Sequence, residues 1–261
     1  TSRGVRVLIS GQSSARAEMC FADGRDSGRL CLLDLARAIA LSQMVVFHFA
    51  RDLELFGLIA SGTTQTGNWA LYARGIAASF LFLSGISLVL ANEHGFRSRA
   101  WFRRFVLIAG AACLISLVTY AAIPSRFIYF GILHAIAAAS LLGLPFLFLP
   151  AWVSAVAAVL VLIADASVGR DVFTAPWLAW TGLGAQVRAS LDFIPLVPWF
   201  APFLFGIAFA RIVDLRRLEP AWPQWFPVYA VSWLGRNSLA IYLLHQPILL
   251  ALVWTTMKIA S

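Results

Sequence analysis

Seven apolar stretches recur along the chain, at 35–56, 71–90, 105–123, 131–148, 152–164, 196–210 and 239–259. A helix needs about 20 mostly apolar residues to cross the hydrocarbon of a bilayer. Inside lipid, every backbone N–H and C=O must find its partner within protein, which a helix achieves within its own segment. The pattern therefore predicts an all-α, polytopic transmembrane helix bundle of about seven spans. The stretches at 152–164 and 196–210 are short for a full crossing. Either flanking residues extend them or they tilt little.

Composition excludes the main competitor, a water-soluble globule. The chain has 261 residues, 61% of them hydrophobic and 12% charged, with a mean hydropathy of +0.82. Soluble domains average about 45–50% apolar and about 25% charged residues. A globule of this size cannot hide so many apolar side chains, whereas lipid tolerates a greasy exterior. The net charge of +8 does not indicate nucleic-acid binding. The arginines sit in short clusters between apolar stretches, as membrane topology requires. Cys20, Cys31 and Cys113 are odd in number and lack metal-ligand spacing, so they read as unpaired structural residues.

Residues 1–29 are polar, rich in Gly, Ser and Arg, and lack an apolar run long enough for a signal peptide. They read as a loosely ordered extension or as sequence outside the native start, ahead of a single membrane domain at 30–261. The apolar but glycine-broken segment 173–184 reads as interfacial or re-entrant. Residues 222–233, with prolines and aromatics, read as an interfacial belt. Arginines concentrate in 1–37, 97–104 and 211–236 and are sparse in the alternate connections. This bias predicts a cytoplasmic amino terminus and, with an odd span count, an external carboxyl terminus. The expected setting is a multi-pass protein of a cell membrane. No internal repeat is visible.

Ionisable groups within spans are costly and mark candidate functional positions. The first stretch, with the residue just ahead of it, holds Asp34, Arg37, His48 and Asp52. Arg37 and His48 are eleven positions apart, close to three helical turns, so both project from one face, about 16 Å apart along the axis. Asp34 can pair with Arg37, and Asp52, one turn beyond His48, can orient its imidazole as the partner of a general base. The spacing is also met by a snorkelling arginine and a packed histidine. His134, His245 and Asp192 fall at a similar depth to His48, which suggests a polar cavity open outward. Each could equally bond a neighbouring helix. The three histidines lie on three separate stretches with no local ligand pair, so no metal is expected. His94 lies in a basic loop and reads as solvated. Ser84, Gly85 and Ser87 allow close helix approach. Arg97, Arg99, Arg103 and Arg104 suit lipid headgroups or the phosphates of a cytosolic cofactor.

Six segments, in this order, resemble one family. They are Arg29-Leu-Cys-Leu-Leu-Asp34-Leu-Ala-Arg37, Met44-Val-Val-Phe-His48-Phe, Phe80-Leu-Phe-Leu-Ser84-Gly-Ile-Ser, Phe130-Gly-Ile-Leu-His134, Pro195-Leu-Val-Pro-Trp199-Phe, and Asn237-Ser-Leu-Ala-Ile-Tyr242-Leu-Leu-His245-Gln246-Pro247. They resemble bacterial relatives of the heparan-alpha-glucosaminide N-acetyltransferase catalytic domain, over about residues 29–255. The Arg37-x10-His48 spacing also resembles the first helix of acyltransferase-3 membrane enzymes. The resemblance implies a membrane-embedded acyltransferase. Such an enzyme moves an acyl group, typically acetyl from acetyl-CoA, across the membrane to a sugar-type acceptor. It implies His48 as the candidate catalytic residue and Arg37 as support for the donor or the site; the residues themselves suggest His48 as general base oriented by Asp52, with Asp34, Arg103 and Arg104 also toward the donor. His134, Asp192, Trp199, His245 and Gln246 would serve acceptor binding, with the first, second and fourth also able to stabilise an oxyanion. Expected partners are membrane lipids, acyl-CoA and a sugar or glycan acceptor, with oligomerisation left open. The alternative is a transporter or flippase for a small or lipid-linked sugar, with the histidines as a proton relay. The absence of inverted repeats weighs against it.

Overall fold

The computed structural model describes residues 30–168, 172–173, 175–184, 187–218 and 226–260. Residues 1–29 and the start of the aromatic 222–233 segment lie outside them. The described residues form eight α-helices: α1 (Cys31–Leu55), α2 (Gly67–Ala91), α3 (Ser98–Ala122), α4 (Ile132–Leu142), α5 (Ala151–Ser167), α6 (Leu196–Ile212), α7 (Phe226–Arg236) and α8 (Ser238–Ala260). Short 3₁₀ turns cover Thr63–Gln65, Pro145–Leu147 and Pro176–Thr181. Among these residues there is no strand, only the isolated bridges Phe130–Phe193 and Phe173–Gly184. The described residues are all-helical.

Each of the seven apolar stretches coincides with a helix. Four helices, α1, α2, α3 and α8, are long and apolar enough to cross a membrane, and α4, α5 and α6 are shorter apolar helices. The stretch at 131–148 departs most from expectation. Its helix stops at Leu142, and Pro145–Leu147 continues as a 3₁₀ turn. Gly143 has no side chain to favour the helix, and Pro145 lacks the amide hydrogen that would continue the ladder to the Leu141 carbonyl, which Leu144 N meets instead at 3.3 Å in a tighter turn. The stretch at 152–164 is extended by flanking residues to Ala151–Ser167. Residues 226–236, expected as an interfacial belt, form the helix α7.

Helix α6 lies at the centre. Ala201, Phe203, Leu204 and Ile207 are fully buried, against α2, α4 and α5. On α3 and α5 the apolar side chains instead point outward: Leu107, Leu114, Leu117 and Val118 on one, and Trp152, Val156, Leu160 and Ile163 on the other, are exposed. Outward leucine and valine over successive turns is the surface that lipid tolerates and water does not. The α2–α6 crossing is a close one. A Cβ on Gly85 would collide with the Phe203 carbonyl oxygen, and one on Gly206 with that of Phe82. The small-residue segment noted in α2 is thus a packing seam.

The connection after α1 folds back on that helix. Glu54 accepts hydrogen bonds from the amides of Gly62 (2.7 Å) and Thr64 (2.9 Å) and from the Thr64 hydroxyl, and Arg51 donates to it at 3.1 Å. This knot fixes the end of α1 immediately beyond Asp52.

Candidate active site

Helices α1 and α8 bring His48 and His245 together, with ring centroids 4.9 Å apart in an edge-on arrangement. These two residues are almost two hundred positions apart in sequence. His48 is half-buried, and no hydrogen bond engages its ring nitrogens among the described residues. His245 is buried. Its Nδ1 lies 2.6 Å from the Tyr242 carbonyl oxygen, which can only accept, so Nδ1 carries the proton. Its Nε2 therefore presents a lone pair, and that buried atom has no partner.

Asp52, only 1% exposed, lies one turn beyond His48. Its Oδ1 accepts a 2.7 Å hydrogen bond from the Gln246 amide. Asp52 Oδ2 and Gln246 Oε1 are buried without partners. The expected hydrogen bond from His48 to Asp52 is not formed, because the carboxylate is held by Gln246 of α8 instead. His245 Nε2, Asp52 Oδ2 and Gln246 Oε1 are three acceptor atoms in one neighbourhood. Burying such atoms unpaired is costly, and a ligand carrying N–H or O–H groups would satisfy them.

His134 and Asp192 are hydrogen-bonded at the start of α4. The amide of Gly131 donates to His134 Nδ1 at 3.2 Å, so the proton is on Nε2, 3.1 Å from the Ser116 hydroxyl oxygen. The Ser116 hydroxyl in turn donates a hydrogen bond to the Ile128 carbonyl at 2.6 Å. Both imidazole nitrogens are thus occupied in holding the start of α4 to α3. Asp192 Oδ2 accepts from the Ile132 amide at 3.0 Å, capping the same helix end, and the bond from Ile194 N to the Phe130 carbonyl fastens the two segments. A side chain at Gly131 would collide with this carboxylate. Burial pushes the Asp192 carboxyl up to about 6, partly offset by the amide hydrogen bond. Tyr242 packs against His245 with centroids 5.7 Å apart. Trp199 packs against the central apolar core. Since His134 has both nitrogens engaged and His245 offers a lone pair, neither is placed to donate to an oxyanion.

At the other end of α1, Arg37 donates to Asp34 Oδ1 (2.9 Å) and to the Ser87 hydroxyl of α2 (2.6 Å). Arg236 Nε lies 4.0 Å from Asp34 Oδ2. Arg37 thus meets α2 through Ser87, and His48 meets α8 through His245. Arg104 lines a cavity between α2, α3 and α4 and is close enough to Arg37 for the two charges to repel. Arg103, its neighbour, is exposed and outside this cavity, because adjacent helical positions point about 100° apart.

The sequence profile of the catalytic domain of heparan-alpha-glucosaminide N-acetyltransferase matches residues 29–247. The chain belongs to this family. No curated protein and no solved structure gives a significant match. The family is one of membrane acetyltransferases, and with four helices fit to span a bilayer the chain is a membrane protein with a transferase domain. The matched region contains both halves of the site, from Arg37 and His48 on α1 to His245 and Gln246 on α8. Reading the sequence of this family member alone missed three neighbours of these residues. Ser87 holds Arg37, Tyr242 packs on His245, and Trp101 shares the cavity with Arg104. The last was legible, since Trp101 and Arg104 are three positions apart and so share a helix face.

Proposed function

We propose that this chain transfers an acetyl group from cytosolic acetyl-CoA to an amine or hydroxyl of a sugar-type acceptor on the external side of a bacterial inner membrane. In this reading residues 30–261 form one domain of seven spans, with the amino terminus cytoplasmic and the carboxyl terminus external. The arginine-rich end of α1 then faces the side where acetyl-CoA is made, and the histidine pair lies deeper, about 16 Å along the helix.

His48 is the general base. Its ring nitrogens are free of other hydrogen bonds, which leaves a lone pair for the acceptor proton. The acceptor nitrogen or oxygen forms a bond to the acyl carbon as the carbon–sulfur bond breaks. His48 takes the acceptor proton, and the departing sulfur takes up a proton in turn. His245 Nε2, Asp52 Oδ2 and Gln246 Oε1 accept hydrogen bonds from the other N–H and O–H groups of the acceptor and so orient it. Gln246 positions Asp52, and the Arg37–Asp34–Ser87 cluster supports the donor path.

The observation that supports this reading most is the trio of buried acceptor atoms beside two imidazoles. A sugar, with several donors on one small frame, is the ligand class such a site needs. The test is transfer of radiolabelled acetyl from acetyl-CoA to glucosamine-bearing acceptors by the purified protein in liposomes. Labelled acceptor should accumulate with the folded protein and not with empty liposomes. A folded, correctly inserted protein that neither binds acetyl-CoA nor labels any sugar acceptor would remove the proposal.

A further inference from the structure

The cavity between α2, α3 and α4 has a volume of about 220 Å³ and lies away from the histidine pair. Its wall includes Ser84 from α2, Arg97 from the α2–α3 connection, Trp101, Arg104 and Phe105 from α3, and Ser140 from α4. Several features are unusual for a packing void. Arg104 has no acidic partner among the described residues, and the charge nearest to act on it belongs to another guanidinium, that of Arg37. The acids that could compensate it are engaged elsewhere. Asp34 pairs with Arg37 at 2.9 Å, Glu93 with Arg216 at 2.8 Å, and Asp214 with Arg217 at 2.8 Å. Arg97 likewise forms no ion pair among the described residues. The indole Nε1 of Trp101 is buried with no acceptor. A half-buried, uncompensated guanidinium beside an orphaned N–H is costly, and an anion would satisfy both.

The remaining wall narrows the class of anion. Trp101 and Phe105 are stacked, with centroids 5.3 Å apart and planes within 16°. Both line the cavity, so aromatic rings stand in its wall beside its cations. Phosphate together with a flat ring describes a nucleotide better than a simple phospholipid headgroup. A volume of about 220 Å³ is below that of pockets that enclose a whole cofactor, roughly 300–1,000 Å³, so only one end of a longer ligand fits. The cavity also adjoins the donor end of the proposed path. Ser84, in its wall, is one turn from Ser87, which holds Arg37.

We infer that this cavity binds the phosphate-bearing nucleotide end of the acyl donor, with Arg104 and Arg97 on phosphate oxygens and Trp101 Nε1 as a directed donor. The inference rests on the acyl-CoA reading above and locates the donor within it. Asn92 shapes the rim, since its side chain donates to the Leu88 carbonyl (2.8 Å) and accepts from the Arg97 amide (3.0 Å). Arg103 and Arg99 are exposed and outside the wall.

The test is equilibrium binding of adenosine 3′,5′-bisphosphate and of acetyl-CoA to the full chain in nanodiscs of neutral lipid. Arg104→Gln should weaken both probes about tenfold to a hundredfold, as expected for loss of a charge-assisted contact. Trp101→Phe keeps the ring and its packing but removes the N–H, and should weaken them several-fold. Arg99→Gln removes a neighbouring exposed charge and should leave binding unchanged. Wild-type affinity in both Arg104→Gln and Trp101→Phe would overturn the location while leaving acetyl transfer intact. Displacement of the nucleotide probe by phosphatidylglycerol vesicles, with no loss of acetyl-CoA binding, would make this a lipid site and also overturn it. Failure of the wild-type protein to bind either probe would remove the acyl-CoA reading and this inference with it.

Discussion

Removing the Gln246 amide should destabilise the bundle through Asp52, by an amount the geometry sets. The Gln246–Asp52 bond is 2.7 Å long, its acceptor is a carboxyl group 1% exposed, and the second carboxyl oxygen has no partner. Hydrogen bonds between membrane helices average about 0.6 kcal/mol in double-mutant cycles and reach about 1.7. A short bond to a buried carboxyl group belongs at the upper end, about 1.5 kcal/mol. Gln246→Leu alone should cost more than the coupling, about 2–3 kcal/mol, because it leaves both carboxyl oxygens unpaired. In Asp52→Leu/Gln246→Leu the second substitution should cost little, since neither polar group remains. Thermal unfolding in detergent, followed by helical circular dichroism, gives the four stabilities. A coupling of this size corresponds to roughly 3–6 °C in Tm. Additive effects within about 0.3–0.5 kcal/mol would show that the two side chains are not coupled and would refute the pairing.

Other outcomes follow from the same structure. Gly206→Val should destabilise the protein by about 1–3 kcal/mol or more, because its side chain meets the Phe82 backbone at the α2–α6 seam, measured by the same unfolding assay. His134→Phe should lower stability by about 1–2 kcal/mol through loss of the Gly131 and Ser116 contacts, while the pH profile of acetyl transfer keeps its shape. The Asp192 carboxyl is raised in the folded state, to about 6 from the ordinary 3.8, so the folded form binds the extra proton between these values. Its contribution is present in full below about pH 4 and is lost as pH rises through about 6. Asp192→Asn should flatten that part of the stability curve, and an unchanged slope between pH 4 and 6 would contradict the burial of this group.

The helices were legible because hydrophobic runs long enough for a bilayer have few alternatives. The Arg37–His48 face was legible because both residues share one helix, where eleven positions close almost three turns. Pairings between helices were not. Nothing in the sequence near Asp52 indicates that Gln246, from the last helix, rather than His48 would hold its carboxyl group. The same holds for His134, whose depth resembles that of His48 but whose two nitrogens are taken by Gly131 and Ser116. Depth along a helix is a local property that sequence carries. Rotation against a distant helix, which decides whether an imidazole is occupied or available, is set by tertiary packing such as the Gly85–Gly206 seam. The early end of α4 has a local cause in Gly143 and Pro145, and its apolar composition masked it.

The role of His48 can be tested on its own. Acetyl transfer by His48→Ala, in protein whose insertion, unfolding temperature and acetyl-CoA affinity match wild type, should fall by about 10²–10⁴-fold. Transfer at the wild-type rate in that protein would contradict a base on α1 and return the histidine pair to a packing role.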